Sequence, residues 1–341
     1  MTEYSSFLEP IEEDDSFIEL ALQEASIPTL IMSLIHITGD KGLLTKLPKP
    51  KPPVMGEIQG FMNQIEKEKV RKFALEVIKD YRDSKKDFPS IPDKQTLLAM
   101  MEFMVSNKIP KDYVDLMFEE IDLEGKDPRR IDFSKSTLER IPKDYIVLII
   151  GAGMSGILAG MRLSQAGINF RIIEKNNNIG GTWFENSYPG SRVDIANHFF
   201  CYSFFPNLNW SEHFSQQPEI LNYFSKFSDR FNLKNSIDFN SLVTNASYSE
   251  EEKKWKLIIE QSGKTKTLKG NILISAVGQL NRPKIPNFYG KEKFSGKMFH
   301  SSRWDHSYEL KGKRVGVIGT GASSFQLVPE IAKEVKQLKI F

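Results

Sequence analysis

Residues 145–175 contain the feature that most constrains the fold: a β-branched run, a glycine-rich turn and a helical pattern in direct succession. The run YIVLII predicts a buried parallel strand, and MSGILAGMRLSQAG predicts a helix that closes at Gly167. FRIIEK predicts the next strand. The three segments form a βαβ unit, which predicts an α/β fold built on a doubly wound, Rossmann-like parallel sheet.

The turn inside this unit reads GAGMSG and places Gly151, Gly153 and Gly156 in a G-x-G-x-x-G spacing. The first glycine permits a tight turn, the second lets the backbone approach a pyrophosphate, and the third lets the helix pack against the strand. The free N–H groups of the helix N-terminus then face the phosphates. Glu174 ends the second strand, where an acid accepts hydrogen bonds from a ribose 2′-hydroxyl. The pattern therefore predicts a site for FAD or NAD rather than NADP.

A second strand–glycine–helix pattern lies near the end of the chain, in RVGVIGTGASSFQLVPEIAKEV. It contains Gly319 and Gly321, with Ser324 where a third small residue is expected. Between the two glycine turns, LVTNASYS, KWKLIIEQS and KTLK predict short antiparallel strands. NILISAVG predicts one more buried strand before the second unit begins.

Residues 1–140 carry helical patterns instead of glycine turns. DDSFIELALQEAS predicts a helix capped by Asp15 or Ser16, and IPTLIMSLIHIT predicts a buried helix. KPKPP, residues 49–53, predicts an extended linker. Residues 56–83 then predict one long amphipathic helix, and DKQTLLAMMEFMVSN and KDYVDLMFEEIDL predict two more. This region is therefore predicted to be an α-helical extension.

Charge and cysteine content limit the classes of protein to consider. With 46 basic and 44 acidic residues the net charge is +2, so neither nucleic acid nor an anionic membrane is an expected partner. The acidic N-terminus does not have the layout of a signal peptide, and the apolar run at residues 27–38 is too short to span a bilayer. Cys201 is the only cysteine, which excludes a disulfide framework and indicates a reducing compartment, the cytoplasm. No metal site is predicted.

The segment GGTWFENSYPGSRVD follows the first βαβ unit, and its glycine pair offers a second close backbone approach to phosphate. This segment resembles the long fingerprint of the class B flavoprotein monooxygenases, in particular that of the Baeyer–Villiger branch. The matching residues are Gly181, Trp183, Tyr188, Pro189, Gly190 and Asp194.

The segment FSGKMFHSSRWD resembles the second fingerprint of that family, F-x-G-x-x-x-H-x-x-x-W followed by Pro or Asp. The matching residues are Phe294, Gly296, His300, Trp304 and Asp305. Trp304 favours the Baeyer–Villiger branch, because the N- and S-oxygenating relatives usually carry Phe or Tyr there. The resemblance implies that the segment links the FAD and NADPH domains and that His300 couples domain rotation to catalysis.

The resemblance also implies a domain organisation, that of a flavoprotein with two dinucleotide-binding domains. Residues 1–140 are expected to form the helical extension, and residues 141–292 the first part of the FAD-binding domain. Residues 293–310 are the fingerprint linker, and residues 311–341 begin an NADPH-binding domain that is incomplete. The extension is similar in size to that of the 4-hydroxyacetophenone monooxygenase subgroup. Its expected role is homodimerisation or support of the FAD domain.

The function implied by the resemblance is that of a monooxygenase that uses FAD and NADPH. It would insert one oxygen atom of O₂ into a small-molecule ketone to give an ester or a lactone. Two alternatives stay open: a flavin-containing monooxygenase that oxygenates nitrogen or sulfur, and an inactive FAD-binding fragment. The second alternative arises because only about 30 residues follow the linker, whereas a complete Rossmann domain needs on the order of 100.

Site residues follow from the same resemblance. The predicted catalytic residues are Asp194, expected to hold an active-site arginine that has no counterpart in this chain, together with His300 and Trp304. The predicted cofactor-binding residues of the first region are Gly151, Gly153, Ser155, Gly156, Glu174, Lys175, Gly181, Thr182, Trp183, Arg192 and Asp194. The second turn, expected to hold the NADPH pyrophosphate, contributes Gly319, Thr320, Gly321, Ala322, Ser323 and Ser324.

Overall fold

The computed structural model describes residues 10–52, 54, 57–84, 91–121, 127 and 129–341. The chain divides into two compact units, Met1–Pro128 and Arg129–Phe341. Some predictions lie outside the described residues: those for the acidic N-terminus 1–9, for Pro53 of the KPKPP linker, for Gly56 at the predicted helix start and for residues 122–123.

The first unit is helical in its described part, as the sequence predicts. Its helices are α1 (Asp15–Glu24), α2 (Ile27–Thr38), α3 (Leu43–Lys46), α4 (Gln64–Ser84), α5 (Lys94–Val105) and α6 (Lys111–Ile121). Helix α2 is buried along one side through Ile27, Ile31, Leu34 and Ile35, which confirms its prediction as a buried helix. Its apolar side packs into one hydrophobic core with residues of α1, α4 and α5.

Two predicted helix starts in this unit are wrong by different amounts. The N-cap of α1 is Asp14, one or two residues before the predicted Asp15 or Ser16, and its carboxylate accepts a hydrogen bond from Phe17 N at 2.8 Å. Helix α4 begins at Gln64 rather than at residue 56. Asn63 and Glu66 cap it reciprocally: Glu66 N donates to Asn63 Oδ1 at 3.0 Å, and Asn63 N donates to Glu66 Oε2 at 2.9 Å. This pair satisfies the backbone N–H groups of Asn63 and Glu66, so Asn63 is the cap and the helix starts directly after it.

The second unit contains a four-stranded parallel sheet. Its strands are β1 (Val147–Ile150), β2 (Phe170–Ile173), β3 (Ile237–Asp238) and β7 (Ile272–Ser275), and they lie in the order β3–β2–β1–β7. In this register Val147 of the central strand lies opposite Phe170 on one side and Ile272 on the other. Helix α8 (Met154–Gln165) connects β1 to β2, as predicted. The α/β fold class is therefore confirmed.

Different structures cover the two faces of the parallel sheet. Helix α8 and helix α10 (Gln217–Arg230) pack on one face, where the core includes Met161, Phe224 and Phe227. On the opposite face, Leu148 and Ile173 pack against Leu257 and Ile259. These last two belong to a three-stranded antiparallel sheet, β4 (Leu242–Ser249), β5 (Lys254–Gln261) and β6 (Lys264–Gly270). A doubly wound sheet carries helices on both faces, so the structure differs here: the second face is covered by β-structure.

The remaining elements lie around these layers. They are α7 (Lys135–Leu138), α9 (Thr182–Glu185), β8 (Arg314–Val317), α11 (Ala322–Ile331) and β9 (Gln337–Ile340). Strands β8 and β9 pair in parallel, with Arg314 opposite Gln337. The second strand–glycine–helix unit predicted from the sequence therefore also includes a returning strand, β9, which was not predicted. The division of residues 141–341 into an FAD part, a linker and an NADPH part stays a prediction.

Candidate functional site

The first glycine turn is held against the strand ends by backbone contacts. Gly151 N donates to Ile173 O at 2.8 Å, which ties the turn to β2. A Cβ atom at Gly156 would lie 1.8 Å from Gly151 O. Because no side chain fits in that space, Gly156 is required by the packing of α8 on the strand, as the sequence pattern predicts.

Gly153 of the first glycine turn faces Gly181 of the glycine pair in the first fingerprint. A Cβ at Gly153, the N-cap of α8, would lie 3.5 Å from Gly181 Cα, which is ordinary van der Waals contact. The protein itself therefore has room for a side chain at Gly153, in contrast to Gly156. Ser155 is exposed in the first turn of α8, beside N–H groups that lack partners within the helix. A glycine not required by packing, next to free N–H groups, fits a backbone that must approach a phosphate.

Glu174 is 3% exposed and lies directly behind the first turn. Its Oε2 accepts a hydrogen bond from Ala152 N at 2.7 Å, and its Oε1 accepts one from Asn176 N at 2.8 Å. The acid thus fixes the glycine turn in addition to any role toward a ribose. Each carboxylate oxygen can accept a second hydrogen bond, so these contacts leave acceptor capacity for ribose hydroxyls.

Lys175, a predicted cofactor-binding residue, is engaged by other side chains. Its Nζ lies 2.7 Å from Glu185 Oε1 and 2.7 Å from Asn281 Oδ1. Glu185 also accepts from Asn176 Nδ2 at 3.0 Å and pairs with Arg303 Nη2 at 3.0 Å. Burial opposes ionisation of Glu185, but the hydrogen bonds from Lys175 and Asn176 and the nearby positive charges outweigh it, so its pKa is lowered. Glu185 was not among the residues predicted from the sequence, although it lies within the first fingerprint.

Thr182 and Trp183 lie in the short helix α9, directly after the glycine pair. Thr182 is exposed, and the indole of Trp183 meets the Phe200 ring edge-on with 5.4 Å between centroids. The carbonyl of Trp183 accepts a hydrogen bond from Gln217 Nε2 in α10. These contacts fix the position of the fingerprint tryptophan beside the first glycine turn.

Arg192 and Asp194 follow the Tyr-Pro-Gly part of the fingerprint. Arg192 Nη1 lies 3.1 Å from Glu212 Oε2, and the next residue is tied down where Val193 N donates to Ser215 O at 3.1 Å. Asp194 is exposed, and within the part of the chain that the structure describes its carboxylate has no hydrogen bond or ion pair. The exposed carboxylate of Asp194 is therefore available to form an ion pair or accept a hydrogen bond.

Contacts within the linker segment involve four of its fingerprint residues, Phe294, Gly296, His300 and Asp305. The ring of Phe294 folds over Gly296, where a Cβ would lie 2.5 Å from Phe294 Cζ. His300 caps a 3₁₀ turn at Ser301–Arg303, because Ser302 N donates to His300 Nδ1 at 3.1 Å. Lys297 Nζ lies 2.8 Å from Asp305, and hydrogen bonds from Lys297 and Ser307 lower the pKa of Asp305 to about 2.

Trp304 is half-buried and makes two sets of packing contacts. Its indole meets the Phe299 ring edge-on, with 5.0 Å between centroids. It also packs against a hydrophobic cluster composed of Tyr188, Leu310, Leu327 and Ile331. Trp304 therefore packs against the same hydrophobic cluster that contains Tyr188 of the first fingerprint and two residues of helix α11.

The second glycine turn has an open front. Gly319 N donates to Phe341 O at 2.9 Å, and Gly321 is the N-cap of α11. In the described structure nothing lies within 4 Å of the Cβ position at either glycine. Residues 319–322, which include Thr320 and Ala322, are exposed, whereas Ser323 and Ser324 are half-buried. A helix N-terminus behind an open glycine turn has the geometry required to receive a phosphate group.

The structure brings the two fingerprints into contact. The Glu185–Arg303 ion pair and the hydrophobic cluster shared by Tyr188 and Trp304 connect the first fingerprint to the linker. Across the residues described, no helix has both the length and the apolar character needed to cross a membrane. In the same residues, no three His, Cys, Asp or Glu side chains gather as metal ligands would.

One protein-family model matches most of the second unit. Residues 144–341 match the family model "FMO-like: Flavin-binding monooxygenase-like". The chain is 36% identical over 324 residues to y4iD of Sinorhizobium fredii, described as an uncharacterized monooxygenase, covering 94% of this chain and 48% of that protein. It is 39% identical over 204 residues to a Baeyer–Villiger monooxygenase of Streptomyces coelicolor, covering 60% of this chain and 38% of that protein. The chain thus spans about half or less of these relatives.

Solved structures give the same assignment for the fold. Oxidized steroid monooxygenase bound to NADP matches with a TM-score of 0.54 and 38% identity, over 58% of this chain and 38% of that one. The OTEMO complex with FAD and NADP matches with a TM-score of 0.54 and 36% identity, over 57% of this chain and 38% of that one. Both matches support the Rossmann-type α/β fold of this chain.

Proposed function

The chain belongs to the flavin-binding monooxygenase-like family, and from this membership we propose that it acts in a monooxygenase that uses FAD and NADPH. The reaction is Baeyer–Villiger oxidation, in which one oxygen atom of O₂ enters a small-molecule ketone to give an ester or a lactone. The observation that carries the proposal is the pair of glycine turns, each opening a helix, joined by the linker with His300 and Trp304. The relatives and structures named above support the choice of branch.

FAD is assigned to the first turn. The backbone around Gly153 and Gly181 receives the pyrophosphate together with the first-turn N–H groups of α8 and the hydroxyl of Ser155. Glu174 accepts hydrogen bonds from the ribose. Lys175 holds Glu185 and so orders the segment that carries Thr182 and Trp183. When bound, the flavin supplies the chemistry with O₂, and the protein supplies position and charge.

NADPH is assigned to the second turn, where Gly319, Gly321 and the N-terminus of α11 face open space. Thr320, Ala322, Ser323 and Ser324 complete that turn. Asp194 is exposed on an anchored segment and is proposed to hold an arginine beside the flavin, while Arg192 contacts the cofactors. His300 and Trp304 are proposed to act through the linker, by keeping it ordered as the two cofactor regions move relative to each other.

The finer assignment is to the 4-hydroxyacetophenone monooxygenase subgroup, with this chain as the N-terminal portion. Its support is a helical unit ahead of the first glycine turn and the 94% coverage of this chain by the Sinorhizobium relative. The proposed boundaries are 1–140, 141–292, 293–310 and 311–341.

We propose homodimerisation through the helical extension, and location in the cytoplasm from the single cysteine. Light scattering on protein with and without residues 1–135 tests the first of these, and an unchanged number of protomers per particle would contradict it.

The function is tested by product analysis on the full-length protein that contains this chain. The protein is expected to purify with bound flavin, to consume NADPH faster than NADH at equal concentrations, and to convert an aryl or cyclic ketone to the ester or lactone. A tertiary amine and a thioether serve as competing substrates. Oxygenation of the amine or thioether with the ketone untouched would favour the N- or S-oxygenating branch. Flavin binding without any NADPH oxidation would leave only an FAD-binding module.

A further inference from the structure

Gln326 lies in α11, about one turn beyond the N-cap Gly321 of the second glycine helix. Its carboxamide reaches out of that helix to the Tyr-Pro-Gly loop of the first fingerprint. Tyr188 Oη donates to Gln326 Oε1 at 2.9 Å, and Arg192 N donates to the same oxygen at 3.3 Å. Gln326 Nε2 in turn donates to Arg192 O at 3.0 Å. One side chain therefore holds both main-chain polar groups of Arg192.

The loop also contacts the backbone of α11 directly. Gly190 has a φ of +79°, and a Cβ there would lie 2.5 Å from Gln326 O and 2.8 Å from Glu330 Cγ. The loop can approach the helix this closely only because residue 190 has no side chain. Tyr188 is 7% exposed and packs in the same cluster as Leu327 and Ile331 of α11.

The segment beyond Arg192 leads to the predicted flavin side of the site. Asp194 lies two residues further along, and between them Val193 N donates to Ser215 O at 3.1 Å. Arg192 points its guanidinium at Glu212, at 3.1 Å. A change in the position of α11 that moves Gln326 therefore moves the peptide groups of Arg192, and with them the start of the segment that carries Asp194.

We propose that Gln326 is a positioning residue that couples the two dinucleotide sites. A phosphate bound at the N-terminus of α11 sets the position of that helix, and the Gln326 carboxamide transmits this position to Arg192 and Asp194. The inference rests on the proposed function, because it assigns one cofactor to each glycine turn. Coupling between two sites is reciprocal, so FAD in the first site must alter the affinity of the second site by the same factor.

The test measures the dissociation constant of NADP⁺ by calorimetry on the full-length protein, once loaded with FAD and once stripped of it. For the wild type the two constants are expected to differ by about 5-fold or more, which is the lower range of allosteric coupling. Gln326→Met keeps the length of the side chain and removes its hydrogen-bonding atoms. The ratio of the two NADP⁺ dissociation constants, without and with FAD, is therefore expected to approach one in this variant. Gln337→Met makes the same change at an exposed position of β9 and should keep the wild-type ratio.

Gln326→Glu gives a readout that a merely structural role would not produce. The carboxylate still accepts from Tyr188 and Arg192 N but cannot donate to Arg192 O. Protonation of the new acid restores a donor, so the ratio of the two dissociation constants should rise again as the pH falls from about 7 to about 4, the ordinary range of a glutamate. If Gln326→Met does not fold, Tyr188→Phe removes one of the three bonds and is expected to reduce the ratio in part.

The outcomes separate this inference from the proposed function. If both cofactors bind but the wild-type ratio is one, or Gln326→Met keeps the wild-type ratio, the coupling role of Gln326 is wrong and the function stands. If the wild-type protein binds no FAD, both the coupling and the proposed function are wrong. Amide hydrogen exchange at Arg192, expected to be faster in Gln326→Met than in Gln337→Met, reports the anchoring itself without any cofactor.

Discussion

Glu185 and Arg303 form an ion pair with 3.0 Å between Oε2 and Nη2, which joins the first fingerprint to the linker. The two residues are 118 positions apart in sequence, and only 10% of the Glu185 side chain is exposed. Lys175 approaches the other carboxylate oxygen of Glu185 at 2.7 Å. Glu185 is therefore largely buried and pairs with two cations. Through Arg303 and Lys175 it holds the linker to the end of the strand that carries Glu174.

Glu185→Gln is expected to lower the free energy of unfolding by about 1–3 kcal/mol at neutral pH, because two cations then face a neutral amide. The matched control is Glu252→Gln, since Glu252 pairs with Lys269 at 2.6 Å with both side chains 47% exposed. An exposed pair of this kind contributes about 0–1 kcal/mol. Chemical denaturation of both variants gives the comparison. Equal losses for the two would contradict the importance of the buried acid.

Gly153→Ala and Gly156→Ala are expected to fail in different ways. The Gly153 variant should stay within about 1 kcal/mol of the wild-type stability without flavin, because a Cβ there meets only Gly181 Cα at 3.5 Å. Its affinity for FAD should fall, because the Cβ occupies the phosphate approach. The Gly156 variant should not fold, since its Cβ would lie 1.8 Å from Gly151 O. Thermal denaturation and flavin absorbance after gel filtration measure both, and full flavin retention in the Gly153 variant would contradict the pyrophosphate assignment.

Gly190→Ala is expected to separate the Tyr-Pro-Gly loop from α11. Gly290→Ala is the control, because both glycines have a φ of +79° but nothing lies within 4 Å of the Cβ position at Gly290. Both variants share the strain of a left-handed alanine, on the order of 1 kcal/mol. Any further loss of stability in the Gly190 variant measures the clash with Gln326 O. The idea of a tight loop–helix contact is wrong if the two variants unfold at the same denaturant concentration.

Asp238 gives a prediction about acid stability. Arg171 holds its carboxylate with two hydrogen bonds, at 3.0 Å and 2.6 Å, and this lowers the pKa of Asp238 below its ordinary 3.8. A lowered pKa means that the pair stabilises the fold above pH 4 and that this contribution is lost as pH falls through the lowered value. Asp238→Asn should therefore cost about 1 kcal/mol at pH 7, and the difference from wild type should vanish in strong acid. Urea denaturation across this pH range tests it, and a difference that grows on acidification would refute it.

His300 can be separated into a capping role and a role in turnover. His300→Asn supplies a side-chain oxygen that can accept the Ser302 N–H in place of Nδ1, whereas His300→Ala cannot. Both variants are expected to bind FAD as the wild type does. The Asn variant should regain the stability lost in the Ala variant, by about 1 kcal/mol, but not its NADPH-dependent turnover. Full NADPH-dependent turnover in the Asn variant would show that His300 only caps the turn and has no separate role in turnover.

The elements predicted well are those whose signals are local. Strand β1 and helix α8 follow from a β-branched run, a glycine turn and a helical period within about 20 residues. Helix α10 was missed although its signals are also local: Pro218 lies in its first turn, and Ile220, Phe224 and Phe227 recur at helical spacing. An aromatic-rich segment directly before it obscured that period.

The site residues that the sequence could not reveal depend on distant partners. Gln326 meets residues 134 and 138 positions away, and Glu185 meets Arg303 across a similar separation. Neither is a fixed term of a fingerprint, and their residue types are common on protein surfaces. Only the folded chain shows that Glu185 is buried and that the Gln326 carboxamide spans both polar groups of one peptide segment.

The order of strands in the parallel sheet has a consequence for synthesis on the ribosome. Strand β1 is central, but its partner on one side, β7, lies about 125 residues later in the chain. At roughly 5–20 residues per second, that partner is synthesised roughly 6–25 seconds after β1. Through this interval the nascent chain presents an unpaired apolar strand edge, the kind of surface that chaperones cover and that aggregation exploits. Translation speed between residues 151 and 271 should therefore influence how much protein is recovered folded.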